Sequence, residues 1–156
     1  MAYAYTKAKE EIEKAVYSAC RKLKYDVSEE EVSRSVGEAK QEFGDLTCTL
    51  AFDLAKKLKK NPKEIADSIA KEIEKLKFTE KVSTVGPYVN FTLGSAFAKE
   101  SVSEILKMKE EYGSGKKSKK KVIIEFPSVN PNKPWHVGHL RNAVLGDSVA
   151  RVLEFS

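Results

Sequence analysis

The sequence predicts an α+β chain: helices over a small antiparallel sheet, then the opening strand and helix of an α/β unit. Three observations predict it. Apolar residues recur at three- and four-residue spacing through most of the first 76 residues and again after Ser95. A strictly alternating segment follows a Gly86-Pro87 break. Beyond a lysine-rich stretch, a short apolar run leads through a proline-broken loop into a last amphipathic segment.

From about Ala4 to Lys24, Ala8, Ile12, Ala15, Val16, Ala19 and Leu23 stripe one face of a helix. In residues 30–38, Val32 and Val36 share one parity with Arg34 between them. Their β-branching favours a short strand, while the Glu-rich neighbours leave a helix open. After Gly44, Asp45 is placed to cap a helix carrying Leu46, Leu50, Leu54 and Leu58. Asn61-Pro62-Lys63-Glu64 starts another helix: a capping Asn, Pro where the missing N–H costs nothing, and an acid near the positive end of the dipole. Ile65, Ile69, Ile73 and Leu76 give its buried face.

Residues 78–93 read as a β-hairpin around Gly86-Pro87. Alternation sends Val89, Phe91 and Leu93 to the core and Tyr88, Asn90 and Thr92 to a polar face. Ser95 opens a helix to about Tyr112 with Phe97, Val102, Ile105 and Leu106 inward. Residues 1–112 thus form one domain of about four helices on a small antiparallel sheet. Residues 113–121, with Gly113-Ser114-Gly115 and Lys116, Lys117, Lys119, Lys120 and Lys121, form a linker. That run serves equally as a phosphate contact or a plain solvated tether. Residues 122–156 begin a second domain: Val122 to Phe126 as a buried parallel strand, a loop with three prolines, and a helix with Leu140, Val144, Leu145, Val149 and Val152.

Composition narrows the function. With 41% hydrophobic and 33% charged residues the chain is globular rather than disordered. No run approaches the roughly 18 apolar residues of a membrane span, so a cytoplasmic protein is expected. Lys and Arg exceed Asp and Glu by 28 to 23, a mild bias toward polyanions concentrated in the linker. Cys20 and Cys48, without a CxxC or a neighbouring His, support neither a disulfide framework nor a zinc site. No metal site is expected.

Both histidines of the chain, His136 and His139, flank Gly138 where the last helix opens. Imidazoles there can donate hydrogen bonds to phosphate oxygens as charge develops, and Gly138 removes a side chain from the path of a nucleotide. By itself His-x-Gly-His is a short pattern, and paired helical histidines are more often structural or metal-linked. Its surroundings are more specific. The stretch Ile124-Glu125-Phe126-Pro127-Ser128-Val129-Asn130-Pro131-Asn132-Lys133-Pro134-Trp135-His136-Val137-Gly138-His139-Leu140-Arg141-Asn142 resembles the class I aminoacyl-tRNA synthetase signature in its arginyl form. Gly44-Asp45-Leu46, the run from Leu54 to Ala66, and Gly86-Pro87-Tyr88-Val89-Asn90-Phe91 are similar to the N-terminal additional domain of the same family. Val129, Pro127 and Trp135 depart from the residues usual there, yet keep the loop stiff and the apolar plug large.

The resemblance implies ATP-driven activation of arginine, with magnesium, then transfer to tRNA-Arg, on a Rossmann-like catalytic domain of which this chain holds a truncated start. His136 and His139 match catalytic positions, and His136, Gly138, His139 and Lys133 match ATP-binding ones. Glu125, Ser128, Asn130 and His139 match positions around the arginine. Tyr88 and Asn90 match the strand that contacts the tRNA D-loop, where stacking and edge hydrogen bonds read unstacked bases. The chain alone is expected to be inactive, with the tail after Gly115 mobile, paired between chains or packed opportunistically, because the strand Val122 to Phe126 lacks its neighbours. A free-standing tRNA-binding module, or another His-x-Gly-His nucleotidyl-transferring enzyme, is the alternative.

Overall fold

The computed structural model describes residues 3–115 and 120–156, so Lys116, Lys117 and Lys119 of the expected linker lie outside the described residues. The chain divides into two compact units, Met1–Lys107 and Met108–Ser156.

The first unit opens with α1 (Ala4–Lys22), which buries Ala8, Ile12, Val16, Ala19 and Cys20 along the expected stripe. A second helix, α2 (Glu29–Ser35), replaces the expected strand over residues 30–38, and only Val36–Glu38 extend, as β1. The reason is a capping box. The Ser28 hydroxyl accepts from the Glu31 N–H (3.2 Å) and the Glu31 carboxylate accepts from the Ser28 N–H (2.8 Å), which satisfies two helix-end donors. Lys57 adds a 2.7 Å ion pair, and it, ahead of the Ser28 N–H, holds the Glu31 carboxyl down at about 2.

Asp45 caps no helix. Leu46–Cys48 form strand β2, and the helix, α3 (Leu50–Leu58), starts only after Thr49. Asp45 is instead a clamp on the hairpin: its N–H donates to the Phe91 carbonyl (2.9 Å) and its carboxylate accepts from the Leu93 N–H (2.7 Å). Gly44 makes this approach possible. It has φ 138, and a Cβ there would lie 2.8 Å from the Phe91 carbonyl oxygen.

In α4 (Pro62–Glu72) the Asn61 side chain caps the Lys63 N–H at 2.9 Å and Pro62 occupies the first turn. The hairpin comprises β3 (Thr79–Val85) and β4 (Tyr88–Leu93), with Val85 opposite Tyr88 and Gly86 at φ 57 in the two-residue loop. All pairings are antiparallel in the order β1-β2-β4-β3. One face of the sheet carries Val36, Leu46, Cys48, Val89 and Phe91 into a core shared with α1, α3 and α4. Glu11 of α1 ties the start of β3 by accepting from the N–H groups of Lys77 (2.8 Å) and Phe78 (3.1 Å).

The helix α5 (Ser95–Met108) corrects another expectation, because Val102, Ile105 and Leu106 are exposed rather than inward. Its half-buried positions are Ala96, Phe97, Glu100, Ser101, Ser103, Glu104 and Met108. Charge sets this rotation: Lys7 of α1 pairs with Glu100 (2.8 Å) and Glu104 (2.6 Å), and Glu104 also accepts from the Ala4 N–H (2.7 Å).

In the second unit, α6 (Val137–Phe155) is the expected helix, but Val122 to Phe126 join no ladder among the described residues. A strand without neighbours leaves its backbone groups to solvent, and Ile123 is 95% exposed. The Phe126 ring packs where a Cβ on Gly146 of α6 would stand. Among the described residues no helix is long and apolar enough to cross a membrane.

Candidate functional site

Two sites were expected, one in each unit. In the first unit, the sheet face opposite the core carries Gly37, Thr47, Asn90 and Ser83 in one row across the four strands, because each is the register partner of the next. Asn90 is not on an open face. It is 3% exposed, since β4 is an inner strand with neighbours on both sides. Its Nδ2 is shut off from solvent and hydrogen-bonds to no protein atom. An unsatisfied buried donor costs about 1–3 kcal/mol. Such a group calls for a partner from outside the fold.

Two positions before Asn90, Tyr88 is 41% exposed and meets the Phe52 ring edge-on at 5.2 Å. Phe52 stands in the first turn of α3, which begins directly after β2, so the β2–α3 junction sets its ring against the start of β4. Sequence reasoning missed Phe52. The pattern that could have found it is an apolar residue off the Leu50-Leu54-Leu58 stripe of its helix.

In the second unit, the two histidines are brought together by the start of α6. The His136 Nδ1 accepts from the Gly138 N–H (3.1 Å), and the His139 Nδ1 accepts from the His136 N–H (3.3 Å), a capping box built of imidazoles. The rings stack at 3.8 Å between centroids and 24° between planes, with Trp135 edge-on to His139 at 6.4 Å. With each Nδ1 accepting, a neutral ring carries its proton on Nε2, which leaves each imidazole one N–H donor. Gly138 has a local role as well: a Cβ there would meet the His136 ring at 2.9 Å.

The preceding loop orders the remaining candidates. Asn130 accepts from the Asn132 N–H through its side chain (3.1 Å) and from the Lys133 N–H through its carbonyl (3.1 Å), a turn that fixes Lys133 relative to Asn130. The Ser128 hydroxyl donates to Glu125 (3.3 Å). All of Glu125, Ser128, Asn130, Lys133, His136 and Gly138 are exposed, and His139 is half-buried. The arrangement offers donors and one carboxylate to a ligand without yet enclosing it. Among the described residues no group of three or more His, Cys, Asp or Glu side chains is placed to hold a metal ion. Cys20 and Cys48 are buried free thiols, and burial pushes Cys20 up to about 12, which keeps it protonated and unreactive.

Two family models match the chain. Residues 7–93 match the family model described as the arginyl tRNA synthetase N terminal domain, and residues 101–156 match that of the class I (R) tRNA synthetase catalytic domain. The arginine-tRNA ligase of Methanosphaera stadtmanae is 40% identical over 96% of this chain and 26% of its own length. That of Thermococcus sibiricus is 51% identical over 72% of this chain and 18% of its own. The crystal structure of arginyl-tRNA synthetase from Plasmodium falciparum shares the fold, with a TM-score of 0.58 at 19% identity over 94% of this chain and 28% of that one. The chain therefore spans about a fifth to a quarter of the length of the curated relatives it matches. With the first model covering residues 7–93 and the second taking up the stretch that holds the paired histidines, the chain belongs to the arginyl-tRNA synthetase family.

Proposed function

We propose that this chain is the N-terminal, tRNA-contacting part of an arginine-tRNA ligase together with the opening of its ATP-binding site, working in the cytoplasm. The observation that carries the RNA reading is the Asn90 amide, buried with an unpartnered Nδ2 beside the half-exposed ring of Tyr88. A base from the tRNA D-loop, stacked on Tyr88, would present an edge acceptor to that donor. Desolvation makes such a contact selective, because a base lacking the acceptor leaves the amide unpaired.

On the nucleotide side, the reading rests on the twin Nε2–H donors of His136 and His139 with Lys133 nearby in sequence. In the proposed reaction an oxygen of the arginine carboxylate attacks the α-phosphorus of ATP as the bond to pyrophosphate breaks. A hydroxyl of the terminal adenosine of tRNA-Arg then takes the arginyl group, and AMP leaves. The imidazoles donate to the phosphoryl oxygens where charge accumulates. Ser128 and Asn130 receive the amino-acid head, and Glu125 is the carboxylate offered to the cationic substrate.

The test is binding of this chain to tRNA-Arg transcripts with the D-loop base varied, beside Asn90→Ala. Base-dependent binding that the variant loses supports the reading, and equal binding to every transcript by both proteins refutes it. For the second site, millimolar ATP should shift the His136 and His139 imidazole resonances, and unmoved resonances would dismiss the ATP assignment.

A further inference from the structure

Between Lys56 and Lys63 the chain places five lysines and no acid: Lys56, Lys57, Lys59, Lys60 and Lys63. They sit on one knuckle, the last turn of α3, the connection and the first turn of α4. Two are neutralised. Lys57 pairs with Glu31 at 2.7 Å and Lys56 with Asp53 at 3.4 Å. Lys59, Lys60 and Lys63 are exposed and take part in no ion pair found among the described residues.

One of the three is placed unfavourably for its helix. Lys59 and Lys60 lie just beyond the end of α3, where the two paired lysines already answer its negative pole. Lys63 stands in the first turn of α4, at the positive pole, where a cation is repelled. Lys59 moreover holds a left-handed φ of 53, which keeps it out of the helix. Three like charges held this close lower their mutual repulsion only by collecting counterions, the condition under which a polyanion binds with counterion release. The knuckle is joined to the Tyr88 site by α3 itself, whose first turn carries Phe52 against Tyr88. From Phe52 to Leu58, the last residue of α3 and the one before Lys59, the rise is about 9 Å. A nucleic-acid strand with one base at Tyr88 has its backbone within reach of the lysines.

We infer that Lys59, Lys60 and Lys63 form a phosphate-backbone contact for the same RNA whose base is read at Tyr88 and Asn90. The inference rests on the tRNA-binding reading above and adds the surface that supplies sequence-independent affinity to it. Phosphate contacts position a nucleic acid, whereas base contacts specify it, so the two sites have separable signatures.

The experiment is a salt series of tRNA-Arg binding by the full chain, wild type against Lys59→Asn/Lys60→Gln/Lys63→Gln. Asn suits the left-handed position. A control removes three other lysines that take part in no ion pair found among the described residues, Lys14, Lys24 and Lys75. Circular dichroism melts confirm that both variants fold. Loss of three phosphate contacts should flatten the slope of log K against log salt by roughly 2 to 3. Between 50 and 200 mM salt, wild-type affinity should then fall by roughly 20- to 40-fold more than that of the knuckle variant. Its preference for the D-loop base should not change. A knuckle variant with the wild-type slope, or no steeper a loss than the control, overturns the inference. So does tighter binding to an acidic polypeptide of equal charge than to RNA. If base preference is absent while the slope responds to the knuckle, the Asn90 reading fails and the phosphate contact stands.

Discussion

Replacing Gly44 with Ala should cost the first unit about 3 kcal/mol. At φ 138 the residue occupies backbone space that L side chains rarely enter, worth about 1–3 kcal/mol of strain. The new Cβ would lie 2.8 Å from the Phe91 carbonyl oxygen and 3.2 Å from its carbon. Those are backbone atoms of an inner strand and cannot swing aside as a side chain would. Relief requires moving residues 44–45 outward, which stretches the Asp45 N–H bond to Phe91 (2.9 Å) and the Leu93 N–H bond to the Asp45 carboxylate (2.7 Å). Hydrogen bonds of these kinds contribute about 0.5–3 kcal/mol each. For a unit of this size, 3 kcal/mol lowers Tm by roughly 12–24 °C. Thermal and urea unfolding followed by circular dichroism measure it, with Gly37→Ala as the paired control. Gly37 has no atom within 4 Å of its would-be Cβ, so that change should be neutral or stabilise slightly. A Gly44→Ala protein within about 0.5 kcal/mol of wild type would refute the clamp, as would equal losses at both glycines.

Glu31 supplies a pH prediction. Its carboxyl is held down at about 2 by Lys57 and the Ser28 N–H, below its ordinary value, so its contribution to stability is full above about pH 4.5 and disappears as pH falls through 2. Carbon-detected NMR of the carboxylates should show Glu31 titrating last among the glutamates, and a midpoint above 4 would dismiss the Lys57 pairing. Gly138→Ala should push the His136 ring, 2.9 Å from the added methyl, off the Gly138 N–H and uncap α6. The expected loss is about 0.5–2 kcal/mol of local helix stability, read by amide exchange over residues 137–141, and unchanged exchange there would contradict it. A double-mutant cycle of Phe52→Leu and Tyr88→Leu on unfolding free energy should give a coupling of about 0.5–1.5 kcal/mol, whereas strict additivity would mean the rings do not support each other.

Most of this fold was legible because each element's apolar period matched its partner's. The α1 stripe, the Asn61-Pro62 start of α4 and the alternation of β4 are local signals that the structure keeps. Apart from α2, the departures came from partners distant in sequence. Asp45 looks like a helix cap until β4, over 40 residues on, offers it the Phe91 carbonyl and Leu93 N–H. The rotation of α5 depends on Lys7. Only α2 was a missed local signal, since Ser28 and Glu31 spell a capping box outright and outweigh the β-branching of Val32 and Val36. The strand at residues 122–126 has the right composition for a sheet interior, yet pairing is a property of neighbours, and among the described residues it has none.

The same distinction explains why the two candidate sites differ in kind. The histidine pair is legible because one helix turn contains it: a cap, a glycine and a cap-binding imidazole lie within four residues, and their hydrogen bonds close on themselves. Asn90 is a different case. Alternation alone gives its face but not its burial, because burial requires that β4 be flanked by β2 on one side and β3 on the other. That order depends in turn on Gly44 and Asp45 drawing β2 against β4 instead of leaving the hairpin edge open. A sheet assembled this way keeps small groups, Gly37, Thr47 and Ser83, abreast of the amide, and none of them satisfies its Nδ2. Stability alone would favour an apolar residue there. An amide left unpaired at the centre of the sheet costs about 1–3 kcal/mol, a cost that an acceptor reaching it would relieve.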